Sequence, residues 1–202
     1  VEPAPLVRHF GGAIRLIAST LTVDSCTFFN NTIEGDVSCI MDECSVYGGA
    51  IGADCRSGSC LIIVSNTLFL SNTALASGGG ISGVRARGGA IAMPSVTASE
   101  LIITNCTFQS NTAELDAGAV SVLYEANVTI TSSLFLLNAV TVAADGGAIC
   151  FGTSDEPGVV ANPILRATVV DCTFQNNTVA DDGGAIAAGQ LRDDPGPGGS
   201  VL

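Results

Sequence analysis

The chain has 202 residues, a net charge of −12 and a sequence pI near 4.1, and all seven of its basic residues are arginines. That balance offers no basic footprint for nucleic acid or an anionic membrane surface, and no apolar run approaches the roughly 20 residues that span a bilayer. Hydrophobic residues make up 47%, but with 24 Gly and no Trp the chain suits closely stacked backbone more than a bulky globular core.

Residues 1–10, opening VEPAP, form an N-terminal lead with neither a charged n-region nor an apolar h-region, so no secretion signal is visible. His9, the only histidine, lies in this lead and is expected to be exposed. From residue 11 onward two short phrases alternate. Gly-Gly-Ala-Ile begins at Gly11, Gly48, Gly88, Gly146 and Gly183, with the variant AGAV at Ala117 and a degenerate GGGI at Gly78. Phe-x-x-Asn recurs as Phe28/Asn31, Phe69/Asn72, Phe108/Asn111, Phe135/Asn138 and Phe174/Asn177. Successive glycine elements start 37, 40, 29, 29 and 37 residues apart, which defines a unit of about 29 residues with insertions near 33–47 and 77–87. The repeating body spans 11–190, and DDPGPGG marks 191–202 as a flexible tail.

Three segments show what the unit is made of. LIITNCTF (101–108), ANVTITSSLF (126–135) and ATVVDCTF (167–174) are β-branched, alternate apolar with polar residues and end at turn residues. Within NCTF, alternation puts Cys106 and Phe108 on one side and Asn105 and Thr107 on the other. No stretch carries a helical period with caps. Short strands on this repeat, separated by glycine corners, predict an all-β fold: a single-stranded, right-handed parallel β-helix of about five to six coils. Equivalent residues then stack ~4.8 Å apart. The five phenylalanines become an internal aromatic stack, and the five asparagines become an amide ladder at a turn. The glycines take corners with φ > 0 that a Cβ would obstruct.

The alternation of GGA[ILV] with FxxN resembles the repeats in passenger domains of chlamydial polymorphic outer-membrane proteins, over nearly all of residues 11–186. The resemblance implies a right-handed parallel β-helix with an adhesin-like surface role. The chain departs from that family in that no membrane β-barrel follows the repeats and in carrying N-glycosylation sequons, which point to a eukaryotic host. Similar repeats occur in large extracellular proteins of algae and protists.

Eight cysteines accompany four N-x-Thr sequons, at Asn30, Asn105, Asn127 and Asn176. An even cysteine count with these sequons points to an oxidising secretory route, N-linked glycans and a secreted or cell-surface location. Cys39/Cys44 and Cys55/Cys60 share C-x₄-C spacing. They read as two local disulfides, as a nested Cys39–Cys60 and Cys44–Cys55 pair, or as a Cys₄ zinc site without the usual C-x₂-C knuckles. Cys26, Cys106 and Cys172 occupy one position two coils apart, about 10 Å, too far to bridge; they are expected to be small core residues. Cys150 is expected to reach Cys172 across one coil.

The residue before each glycine element is Phe10, Tyr47, Arg87, Asp116, Asp145 and Asp182, so three aspartates stack in the last coils. They read as solvated turn residues or as ligands of Ca²⁺; no other cofactor is expected of them. Parallel β-helices include polysaccharide lyases and hydrolases, whose sites need clustered carboxylates or a basic side chain beside calcium. This chain has no Lys, and Arg85, Arg87 and Asp116 carry no site pattern. The leading expectation is a non-enzymatic, glycosylated extracellular filament or surface-coat subunit. It would stack end to end, because open solenoid ends leave strand edges unpaired and no capping helix is visible. The alternatives are an adhesin or ligand-binding module of a larger surface protein, and a polysaccharide-active enzyme dependent on Asp116, Asp145 or Asp182.

Overall fold

A short strand bounded by corners cannot pair with itself, so its backbone groups find partners in the coil before and the coil after. The computed structural model describes residues 8–35, 44–76, 84–142, 145–153, 166–180 and 183–190. The registered strand pairings are all parallel, and among the described residues there is no helix. The molecule is a parallel β-helix whose walls are four sheets.

The aromatic wall has five strands: Thr27–Phe29, Leu68–Leu70, Thr107–Gln109, Leu134–Leu136 and Thr173–Gln175. A four-stranded wall follows it, from Thr32–Gly35 through Thr73–Ala76 and Thr112–Ala113 to Ala139–Val140. Before the glycine corner lies a three-stranded wall of Arg8–Phe10, Cys44–Tyr47 and Val84–Arg87. After it, nine strands make the largest wall, in which Ile91–Thr104 and Val120–Thr131 run almost the whole width of their coils. Phe28, Phe69, Phe108, Phe135 and Phe174 are in register from coil to coil. Five aromatic rungs enclose about four turns, slightly fewer than the five to six coils expected from counting motifs.

The edges of the expected insertions are regular structure. Thr32–Gly35, Cys44–Tyr47 and Val84–Arg87 are wall strands, which narrows both insertions, and residues 36–43 and 77–83 lie outside the described residues. The lead also joins the solenoid, since Arg8–Phe10 pairs with Ser45–Tyr47. His9 is half-buried there, in register with Val46, and not exposed as expected. The tail, 191–202, lies outside the described residues.

The core sits between the largest wall and the aromatic wall. Ile51, Ile91, Val120 and Ile149 stack behind the glycine corners, facing the phenylalanine column. Where the other two walls approach each other the core narrows to Val46, Ala74, Ala76, Ala86 and Ala113. This explains the excess of small residues in the composition.

The two glycines of each corner do different work. The first takes the left-handed conformation, with φ from 63° to 72° at Gly11, Gly48, Gly88, Gly146 and Gly183; Ala117 adopts the same corner at 63°. The second glycine answers to the next coil. A Cβ on Gly89 would lie 2.1 Å from the Gly118 carbonyl oxygen and 2.5 Å from the Thr112 nitrogen. That explains why the AGAV variant keeps Gly118 while giving up the first glycine. Gly184 has nothing within 4 Å of its would-be Cβ.

Gly89→Ala is therefore expected to lower unfolding free energy by about 3 kcal/mol or to prevent folding, through backbone overpacking. Gly184→Ala is expected to stay within about 0.5 kcal/mol of the parent. Denaturant melts of the two variants check the contrast.

Candidate functional site

The repeated phrase organises three columns at and beside the aromatic wall. The first is the phenylalanine stack, with ring centroids 4.7 to 4.9 Å apart and interplanar angles of 8° or less. Phe69, Phe108 and Phe135 are fully buried, whereas Phe28 and Phe174 in the end coils are half-buried. Their parallel, face-to-face arrangement is dictated by the strand spacing, since the ring quadrupoles alone would favour an offset.

The second column is the asparagine ladder. Each amide serves the coil below it: Asn31, Asn72, Asn111 and Asn138 each donate, through backbone N and Nδ2, to the Oδ1 of the next asparagine at 2.8 to 3.1 Å. Nδ2 of Asn72, Asn111, Asn138 and Asn177 also donates to the carbonyl of the phenylalanine one coil back. Buried side-chain amides persist only when satisfied in this way. Asn31 Oδ1 and the Asn177 backbone N–H, at opposite ends, have no such partner among the described residues.

The third column alternates thiol and hydroxyl: Cys26, Thr67, Cys106, Ser133 and Cys172. The hydroxyls of the even coils accept from the cysteine backbone below, Cys26 N to Thr67 Oγ1 at 3.3 Å and Cys106 N to Ser133 Oγ at 3.1 Å. Cys106 is buried as expected, but Cys26 is exposed and Cys172 half-buried because their coils are the outermost ones described. The motifs hold this two-coil period in plain view, as CTF in coils one, three and five against TLF and SLF in two and four.

All four sequon asparagines are exposed. Asn30, Asn105 and Asn176 stand at corners with φ of 53° or 54°, in columns otherwise filled by Ser25, Asn66, Ser132 and Asp171, or by Ser71, Ser110 and Leu137. Asparagine is the non-glycine residue best suited to that conformation. One inward residue and an outward Thr follow at each of these corners, so corner geometry writes N-x-T for folding reasons of its own. Asn127 is different: it lies in an extended strand, opposite Glu100 and Arg166. It borders an open groove of about 310 Å³ lined with Thr20, Ser59, Cys60, Ser99 and Glu100. Glu100 is the only carboxylate in that lining.

Of the cysteines, Cys55 and Cys60 form the expected local disulfide, with Cα atoms 5.5 Å apart, which excludes the nested pairing and a Cys₄ zinc site. Cys39 and the side chain of Cys44 lie outside the described residues. Cys150 and Cys172 are free thiols, contrary to the bridge expected between them. Ile149 points into the core, so Cys150 faces the other side of the wall, against Ala117 and Ala187, while Cys172 packs on the core. Burial raises the Cys150 thiol far above its ordinary range, and Asp116 and Asp145 push it further. Burial also raises Cys106.

The column before the corner begins with stacked Phe10 and Tyr47, centroids 4.9 Å apart, and continues through Arg87 to Asp116. Arg87 Nε donates to Asp116 Oδ2 at 2.7 Å, with the guanidinium fully buried. Asp116 is thereby committed to an arginine. Asp145 lies one coil on, and Asp182 is outside the described residues. Among the described residues no three His, Cys, Asp or Glu side chains gather as a metal cage. Arg85 is half-buried two residues before Arg87.

On the outer surface, Ser65 Oγ and Asn66 Nδ2 donate to Asp24 Oδ1 at 2.6 and 2.8 Å, and Asn105 Nδ2 donates to Asn66 Oδ1 at 2.8 Å. The bonds from Ser65 and Asn66, with one from Ser25, hold the Asp24 carboxyl below its ordinary range. At the N-terminal end, Arg15 and Arg56 flank the Phe10 ring at 5.6 and 5.2 Å, and Arg56 grips Asp54 through two 2.8 Å bonds.

These columns define the class: a repeat-built parallel β-helix in which each coil reproduces the one beneath it. Residues 171–189, which hold the last Phe-x-x-Asn and Gly-Gly-Ala-Ile, match the Chlamydia polymorphic membrane protein repeat. That match and the parallel solenoid together fit a β-helix like that of the polymorphic membrane proteins. No curated protein and no solved structure matches it.

Thiol alkylation in mildly alkaline buffer is expected to label Cys26 first and Cys172 more slowly. Cys106 and Cys150 should stay unlabelled until the chain is denatured, because burial keeps them protonated and out of reach. Mass mapping of the labelled peptides tests the order.

Proposed function

We propose that this chain is a non-enzymatic structural module of a surface-associated protein, working by end-to-end stacking of its β-helix. The observation that carries it is the complementarity of the two end coils. The last described strand, Ile186–Gln190, stands one rung beyond the last asparagine and, among the described residues, leaves an unpaired edge with an open glycine site at Gly184. The first coil offers the outer edge of Ile14–Ile17 and the Gly12 carbonyl at the matching positions. Within the chain, these same pairs bind each coil to the next. The Chlamydia polymorphic membrane protein repeat matched by residues 171–189 supports the surface association. Among the described residues no helix is long and apolar enough to cross a membrane.

A second role, ligand binding on the flank, is favoured by one feature. Phe29 is 63% exposed on the outer face of the aromatic wall, beside Leu68 and Leu70. Of the sequons, Asn127 is the first choice for a glycan, since backbone conformation does not account for its asparagine.

Electron microscopy and sedimentation of the full chain test the stacking. Rods that lengthen with protein concentration are expected from the parent. Gly184→Ala should leave folding intact and abolish the rods, because its methyl would meet the Gly12 carbonyl of the next copy as closely as Gly49 and Gly89 crowd within the chain. A parent that stays monodisperse at high concentration would sink the proposal.

A further inference from the structure

The outward column that holds Asn127 differs in every coil. Thr20, Leu61, Glu100, Asn127 and Arg166 are in register, yet no two are alike. Folding asks nothing in particular of this column, in contrast to the phenylalanine and asparagine columns. Val128 points into the core, so Asn127 and Thr129 both face outward and complete an N-x-T that no corner dictates. Among the described residues neither the Asn127 side-chain amide nor the Glu100 carboxylate takes part in a hydrogen bond or ion pair. Asn105, by contrast, has its Nδ2 bound to Asn66.

The groove of about 310 Å³ runs back from Asn127 through Glu100 and Leu61 to Thr20, three rungs or about 14 Å along the axis. One of its walls is held stiff. The Cys55–Cys60 disulfide closes the loop that carries Ser59, Cys60 N donates to Ser99 Oγ at 3.0 Å, and Thr97 Oγ1 donates to the Cys55 carbonyl at 2.9 Å. Loop and neighbouring bulge are thereby fastened together. Half-buried Leu61 gives the floor an apolar patch, and Thr20, Ser59 and Glu100 set two hydroxyls and a carboxylate around it. That mixture suits a sugar ring, which has C–H faces and a rim of hydroxyls, and the volume is that of a small-ligand cleft.

We propose that the glycan on Asn127 folds back into this groove. Its first sugar, an N-acetylated hexosamine, lies over Leu61, and Glu100 accepts from its hydroxyl or acetamide hydrogens. The proposal rests on the choice of Asn127 as the glycosylated sequon made above and adds a seat for what is attached there. In the transfer, Asn127 Nδ2 loses a proton and forms a C–N bond to the anomeric carbon of an oligosaccharide. The C–O bond to a lipid-linked pyrophosphate breaks, and the lipid pyrophosphate leaves with that electron pair. Transfer precedes folding, since the finished strand sets Asn127 between Glu100 and Arg166. Attachment at one end of the groove makes seating intramolecular, so a contact too weak to hold a free sugar acts at high effective concentration.

The test secretes the full chain from a eukaryotic host that attaches N-glycans, with the glycan carbon-labelled, beside Ala98→Leu and Glu100→Ala. Both altered positions are exposed; the first substitution fills the groove and the second removes its acceptor. Peptide mapping reads occupancy at Asn127. In the parent, nuclear Overhauser contacts are expected between the first sugar and the Leu61 methyl groups. An amidase that cuts the Asn–sugar bond should release the glycan from the native parent about tenfold more slowly than from either variant, because release waits on the unseated fraction. After denaturation the three rates should agree. Contacts to Arg166 or Thr168 instead, or none with equal native rates, would overturn the seat while leaving the glycan in place. An Asn127 found bare by mapping would remove the glycan itself, and the seat with it.

Discussion

Everything in this molecule follows from the ~4.8 Å spacing that parallel backbone hydrogen bonds impose between coils. At that distance each side chain has its counterpart in the next coil as its nearest neighbour, so the question at every position is whether like can sit on like. Phenylalanine can, face to face. Asparagine can, because its amide has a donor for one neighbour and an acceptor for the other. Aspartate cannot without help, and where the column before the corner turns acidic a buried arginine, Arg87, takes the Asp116 carboxylate.

The same constraint distinguishes folding requirements from functional signals. Three of the four sequons stand at left-handed corners where asparagine is favoured by its backbone, with an inward residue and a strand threonine following. The N-x-T pattern that suggests a secretory glycoprotein is therefore also what this β-helix needs in order to turn. That removes the conflict between the sequons and a repeat found in a bacterial membrane-protein family. Glycines divide likewise: the first of each pair is a matter of φ and tolerates alanine at Ala117, whereas the second is a matter of the carbonyl above it and does not vary in the six corners.

A solenoid held together by repeated contacts carries those contacts to its ends. Inside, each coil satisfies the one below; at the terminal coils the same groups point outward with the same spacing and polarity. Donors face one way along the asparagine ladder and acceptors the other, so any stacking is head to tail by construction. Chemistry on the flanks is sparse by comparison, with one carboxylate in the open groove beside Asn127.

The sequence by itself determined the periodic part of this protein. Glycine elements and Phe-x-x-Asn phrases predicted a parallel β-helix, the Phe and Asn columns and the inward face of Cys106, because a repeat that must match its neighbour writes its register into its residues. The Cys55–Cys60 bridge was among the pairings its local spacing allowed. Only the tertiary structure decided what depends on which side of a wall a residue faces or which coil lies next to it. It placed Cys150 and Cys172 on opposite sides, and drew His9, Cys44–Tyr47 and Val84–Arg87 into a wall taken for lead and insertion. It also joined Arg87 to Asp116, residues 29 apart in the chain. A one-residue change of facing leaves composition and period untouched, so strand alternation must first be anchored in space before such partners can be read.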